Sequence, residues 1–161
     1  MFKKVAIAAA LGVAAFSSNA VALIATNTIA VSATISAACS VATSALAFGT
    51  FPTTVGGNHD LTSSLNVTCA TGLPYTVGID VGNNALGSVR RLSDGASHFI
   101  TYEVYSDSLG GTPWDVPATS IISGTGNAAA QPFNVFARIP STATTPTAGA
   151  YTDTLTVTVT Y

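Results

Sequence analysis

The chain has 161 residues, one domain's worth, of which only 7% are charged, against roughly 25% in ordinary globular domains. Five lysines and arginines face seven acids, and both lysines, Lys3 and Lys4, lie at the start, so the rest of the chain carries Arg90, Arg91 and Arg138 alone. That leaves no basic footprint for phosphates and argues against nucleic-acid binding, while a weakly charged surface of Thr, Ser, Asn and Gly suits packing against like subunits.

Lys3 and Lys4, the apolar run Val5 to Phe16 and the small residues ending at Ala20-Val21-Ala22 read as a secretion signal, cut after Ala22 or after Ala20. The run is shorter than the ~20 residues of a membrane span and no later stretch qualifies, so no membrane insertion is expected. Removing residues 1–22 leaves three arginines against seven acids, a balance of −4. The predicted organisation is a signal peptide over 1–22, an N-terminal extension over 23–37 and one domain over 38–161.

In the extension, Asn27 to Ala37 places Ile29, Val31, Ala33, Ile35 and Ala37 in alternation with small or polar residues, the two-residue period of a strand. No turn residue folds this strand back on the segment after it, so its expected partner is another copy of the chain. Cys39 to Val41 and Ala47 to Phe51 read as pieces of an opening strand interrupted at Ser44 and stopped by Pro52. After the Gly56-Gly57 turn, Leu61, Ser63, Leu65, Val67 and Cys69 alternate strictly, which faces Cys69 inward with the leucines. Tyr75, Val77 and Ile79 form the next strand, ending at Gly82-Asn83-Asn84. Ile100, Tyr102 and Val104 form another, Ser120 to Ser123 a short one, and Val135, Ala137 and Ile139 the penultimate one. The chain closes on Thr152 to Tyr161, with Leu155, Val157, Val159 and Tyr161 on one face and threonines on the other. No sustained helical period occurs after the signal. About seven short strands with a turn every ten to fifteen residues predict an all-β sandwich of immunoglobulin-like topology.

Two cysteines in an exported chain, Cys39 and Cys69, with no C-x-x-C and no neighbouring histidine, predict one structural disulfide, worth about 3–4 kcal/mol by loop entropy. Other motifs read more plainly. Gly124-Thr125-Gly126-Asn127-Ala128-Ala129 fits a dinucleotide fingerprint but has no strand–helix context, so it is a loop. His59-Asp60 with Ser63 or Ser64, and His98 with a distant serine, lack a G-x-S-x-G elbow and are expected to be surface polar residues, His59 in a loop. The acids are scattered, so no metal and no cofactor is expected. Asn66-Val67-Thr68 matches a glycosylation sequon inside a strand, Arg90-Arg91 reads as a turn pair, and Trp114 and Phe133 as core or subunit contacts with sugar binding the minor alternative.

Taken together, the extension ending at Ile35 four residues before Cys39, Phe48-Gly49-Thr50, Val67-Thr68-Cys69, Tyr102-Glu103-Val104-Tyr105 and the close Ala148-Gly149-Ala150-Tyr151-Thr152-Asp153-Thr154-Leu155-Thr156-Val157-Thr158-Val159 resemble the spore coat protein U family and, within it, subunits of archaic chaperone-usher pili. The resemblance covers nearly the whole chain after the signal. It implies a pilin whose immunoglobulin-like fold lacks its last strand. A periplasmic chaperone holds it, an outer-membrane usher assembles it, and the N-terminal extension of the next subunit completes it. On that reading Ile29, Val31, Ala33 and Ile35 form the donor strand. Leu155, Val157, Val159 and Tyr161 edge the groove that accepts such a strand. The expected partners are copies of the chain or sister pilins in a head-to-tail extracellular fibre serving adhesion or biofilm formation, and no enzymatic activity is expected. Ala33 is smaller than the residue such pilins often carry there, and Gly110 to Ala130 matches only loosely. The alternatives are a lectin-like surface-binding module using Trp114 and the loops, and a spore or cell coat structural protein.

Overall fold

The computed structural model describes residues 24–53, 57–115, 121–141 and 146–161. The expected signal peptide, the Gly56 half of the first turn and Ser120 lie outside them. Residues Ile35–Tyr161 make one compact unit. Of the other unit, residues 24–34 are described, and they form no strand or helix and are exposed.

Among the described residues the compact unit is all-β, with nine strands: β1 (Cys39–Thr43), β2 (His59–Cys69), β3 (Pro74–Ile79), β4 (Arg91–Ser93), β5 (Phe99–Thr101), β6 (Glu103–Tyr105), β7 (Ile122–Thr125), β8 (Gln131–Ile139) and β9 (Val157–Thr160). They form a four-stranded sheet in the order β1-β2-β8-β6, a three-stranded sheet β7-β3-β9 and a two-stranded β4-β5, with every pairing antiparallel. The alternation read from the sequence sets these faces. Leu65, Val67 and Cys69 of β2, Val104 of β6 and Val135, Ala137 and Ile139 of β8 are buried from one sheet, Tyr75, Val77 and Ile79 of β3 from the other. Each large aliphatic side chain so removed from water stabilises the fold by about 1.5–3 kcal/mol. Trp114, fully buried, joins the sheets: its backbone N–H donates to Val104 O at 2.8 Å and its indole Nε1–H to Val77 O at 3.1 Å. A buried indole needs such an acceptor.

Cys39 and Cys69 are disulfide-bonded and directly paired at the first position of β1 and the last of β2. Asn66 and Thr68 lie within β2, and Gly124-Thr125 within β7, so the glycine motif begins on a strand edge and turns only after it.

Several expectations need correction. Ile100, Tyr102 and Val104 do not share one strand. The chain passes from β5, paired with β4, to β6, paired with β8, at Tyr102, whose N–H donates to Arg90 O at 3.1 Å. All three side chains still face inward, so the alternation runs unbroken through the change of sheet. Ala47 to Phe51 form no strand: Gly49 at φ +74° turns the chain out of the extended region. The closing strand is limited to Val157–Thr160, because residues 152–156 bond instead to Asp80, Asn83 and Ser93 in loops and at a strand end. His59 begins β2 instead of lying in a loop, and Arg90 is not a turn residue at the surface but is fully buried.

Candidate functional site: an open groove between two strand edges

Of the strands that end a sheet among the described residues, two border the same opening. β1 pairs only with β2, and β9 only with β3. Between β1 with its continuation to Phe48, on one side, and Asp153 to Val157, on the other, lies a cavity of about 600 Å³. Its floor is apolar and fixed: Leu65 (1% exposed), Ile79 (2%) and Val135 (5%), with Leu92 and Tyr102. A second cavity of about 740 Å³ continues it, lined by Leu46 to Phe51, Ile100 and Pro146 to Asp153. The two share Leu46, Phe48, Leu92 and Asp153, so they form one groove with a waist. β9 and β1 carry N–H and C=O groups toward this groove without a ladder partner, which is what a further strand satisfies.

Hydrogen bonds from loops set the walls. The β1 side is held by Ser44 N–H to Ser64 O at 3.0 Å and by Ser63 Oγ–H to Ala45 O at 3.1 Å. On the other side Asp80 grips Thr156 twice: its N–H donates to Thr156 O at 3.0 Å, and its Oδ1 accepts from Thr156 N–H at 2.8 Å. Asp80 is itself seated by Arg90, whose Nε–H and Nη2–H donate to Asp80 O at 3.0 and 2.8 Å. The same guanidinium donates to Ile79 O at 3.0 Å, to Trp114 O and to the Glu103 carboxylate. One buried cation thus ties the end of β3, the Trp114 segment and β6 together, and its own charge is answered by Glu103 and, at 3.5 Å, by Asp115.

At the waist Asp153 faces inward in the same alternation as Leu155, Val157 and Val159. Its Oδ2 accepts from Tyr102 Oη–H at 2.7 Å, and its Oδ1 from Asn84 N–H and Nδ2–H, both at 3.1 Å. Gly82, at φ +85°, makes room for it: a Cβ there would stand 2.1 Å from Oδ2. Burial first, and then the bond to Asp153, push the Tyr102 phenol far above its ordinary range, so it stays a donor. The ring of Tyr102 meets Phe48 edge-on at 6.3 Å.

Of the residues singled out in the sequence, Leu155 and Val157 line the groove. Val159 packs on the core beyond it, and Tyr161, 60% exposed, lies past the end of β9. Ile29, Val31 and Ile35 are 89%, 91% and 95% exposed, and Ala33 is exposed too. These are large aliphatic side chains standing in water. Sequence reasoning missed Asp80, Arg90 and the trio Asn84, Tyr102 and Asp153; the available signal for Asp153 was its place two residues before Leu155. Among the described residues the histidines form no catalytic constellation with the serines. Asp60, beside His59, pairs with Arg138 (2.6 Å), His59 stacks on Phe51 at 4.2 Å, and His98 Nδ1 lies 2.6 Å from Asp94. Among the described residues no group of three or more His, Cys, Asp or Glu side chains is placed to hold a metal ion, and no helix is long and apolar enough to cross a membrane.

Comparison with known proteins adds three findings. Among solved structures, the chain is similar to one from Acinetobacter baumannii, described as the CsuC-CsuE chaperone-tip adhesion subunit pre-assembly complex from archaic chaperone-usher Csu pili. The TM-score is 0.54 and the identity 23%, over 80% of this chain and 40% of that one. The likeness is one of fold, and this chain spans less than half of the other's length. No curated protein sequence matches. The family model of the Spore Coat Protein U domain matches residues 25–158, nearly the whole of the chain described above, and the chain therefore belongs to the Spore Coat Protein U domain family.

Proposed function

We propose that this chain is the structural subunit of an extracellular fibre built by the chaperone-usher route. Asn27 to Ala37 of one copy lies as a strand in the groove between β1 and β9 of the next. The observation that carries the reading is a complementary pair. A groove with an apolar floor is bordered by unpaired strand edges, and an alternating segment leaves Ile29, Val31 and Ile35 at 89–95% exposure. Filling one with the other satisfies both at once. The donor side chains are Ile29, Val31, Ala33 and Ile35, and Leu155 and Val157 form the accepting wall with Val159 and Tyr161 at its far end. Head-to-tail contacts of this kind do not close on themselves, so they generate filaments. Before assembly a periplasmic chaperone covers the groove, and an outer-membrane usher threads the subunits to the cell surface, where the fibre serves adhesion or biofilm formation. Residues 1–22 address the chain to export, 23–37 are the donor and 38–161 the acceptor domain.

A lectin-like reading resting on Trp114 has less support, because that indole is buried against Val77 and offers no face to a sugar. The deciding experiment moves the donor. With the native extension deleted and Asn27 to Ala37 fused behind Tyr161 through a short Asp-Asn-Gly turn, the expected product is a monomer that melts well above the truncated domain. Fibres from that protein, or an unchanged melting temperature, overturn the proposal. Native material that is amorphous instead of threadlike points to a coat protein.

A further inference from the structure

An alternating strand can enter a groove in several registers. A slip of one residue turns Thr28, Ala30, Ser32 and Thr34 inward and is rejected by the apolar floor, but a slip of two keeps Ile, Val and Ala inward and is not. Something else must choose among the even registers. We propose that Asp153, held by Tyr102 and Asn84 at the waist of the groove, sets the register of the incoming strand by admitting Ala33 of the neighbouring copy and no larger apolar side chain. This rests on the strand-donation reading above and names the residue that fixes its geometry.

The groove and the strand have matching profiles. Inward positions on the groove wall recur at Tyr151, Asp153, Leu155 and Val157, the same two-residue spacing, about 6.6 Å, at which the donor presents Ile29, Val31, Ala33 and Ile35. The wall has one polar inward position, with a cavity on each side of it. The donor has one small inward position, with large aliphatic residues on each side of it. Pairing the two lets Ile35 fill one cavity and Val31 with Ile29 the other, whichever way the strand runs.

The chemistry at the waist enforces this pairing. Asp153 has three hydrogen-bond donors within 3.1 Å, all from its own domain, which fix its orientation. A branched aliphatic side chain laid over it strips the remaining water from a carboxylate without offering a donor. Alanine leaves space for a water, and a hydroxyl in its place supplies a donor. The carboxylate cannot swing aside, because the Gly82 backbone lies against it and both oxygens are engaged.

The test uses the full chain expressed with its export and assembly partners and reads the ladder of multimers that resist detergent in unheated samples. Ala33→Leu should reduce the ladder at least tenfold and Ala33→Ser should preserve it. Ala33→Leu combined with Asp153→Ala, which clears the waist, should restore it. Asp153→Ser, which shortens the side chain and removes its charge, is the second acceptor variant should Asp153→Ala fold poorly. Position 33 lies in the exposed extension, so its substitutions leave the domain's own fold untouched. If Val31→Asp abolishes the ladder while Ala33→Leu leaves it intact, the register proposal fails and strand donation stands. If Ala33→Leu abolishes it and neither acceptor variant restores it, the role of Asp153 is overturned. A wild-type chain with no ladder, or one indifferent to Val31→Asp, overturns strand donation itself.

Discussion

Replacing Arg90 with methionine keeps the apolar stem and the volume of the side chain and removes only the guanidinium. That group is fully buried and serves the carbonyls of Ile79, Asp80 and Trp114 as well as Glu103. Without it three carbonyls at the end of β3 and beside Trp114 lose their donor, and Glu103, only 32% exposed, loses its counter-charge. Breaking a buried, hydrogen-bonded pair from one side costs about 3–5 kcal/mol. At about 3–5 °C per kcal/mol for a domain of this size, the melting temperature should fall by about 9–25 °C. Arg90→Lys keeps the charge but cannot fork between carbonyls on different segments, so it should fall between wild type and Arg90→Met. Trp114 reports the transition directly, since the only tryptophan is fully buried and its emission moves to the red on exposure. Because Arg90 seats Asp80 and Asp80 holds Thr156, the methionine variant should also lose assembly. A melting temperature within about 3 °C of wild type, or a lysine variant equal to it, refutes the reasoning.

Opening the cystine with Cys39→Ser and Cys69→Ser together should cost about 2–5 kcal/mol, read as a lowered denaturation midpoint that reductant no longer changes; a midpoint equal to that of the oxidised wild type contradicts it. Ile35→Asp should block multimer formation while Ser32→Asp, on the opposite face of the strand, should not, and equal effects would falsify the assigned face. The carboxyls of Asp60, Asp94 and Asp107 are held below their ordinary value, Asp60 chiefly by its bond to Arg138 and the other two chiefly by backbone N–H groups. Depressed carboxyls contribute stability that is complete above the unfolded value near 3.9 and is lost as pH falls through the folded one. Thermal melts should therefore hold steady from pH 7 to about 4 and drop below it, and a midpoint unchanged at pH 2.5 counts against this.

The parts of the fold that were legible in the sequence are those where one face of a long strand is buried and the other is wet. In β2, β3 and β8 the period of two is written directly in Leu65-Val67-Cys69, Tyr75-Val77-Ile79 and Val135-Ala137-Ile139. The cystine followed from two cysteines in a chain read as exported, with no C-x-x-C and no neighbouring histidine to suggest another use. What stayed hidden depends on partners remote in the chain. Arg90 is buried because carbonyls from residues 79, 80 and 114 and the carboxylate of Glu103 converge on it, and no local pattern announces that convergence. The passage between sheets at Tyr102 is invisible to periodicity because the inward alternation of Ile100, Tyr102 and Val104 continues across it. The closing segment was overextended as a strand for a related reason: Thr152 to Thr156 alternate as a strand does, but their bonds go to loop residues and a strand end instead of a ladder.

The position of the cystine bears on how the domain meets mechanical tension. A pull on the N-terminal segment arrives at Ala38 and then at Cys39, the first residue of an edge strand only five residues long. An antiparallel edge strand drawn from its end peels, its hydrogen bonds failing one after another like a zipper. Here the first tooth is covalent. Cys39 is bonded to Cys69, the residue directly opposite, so tension skips β1 and enters β2, which is paired over nine residues with β8 inside the sheet. That strand is held on both sides, by β1 and by β8, so it offers no free edge from which to peel. In the filament proposed above, the weakest point is then moved away from the root of the connecting segment.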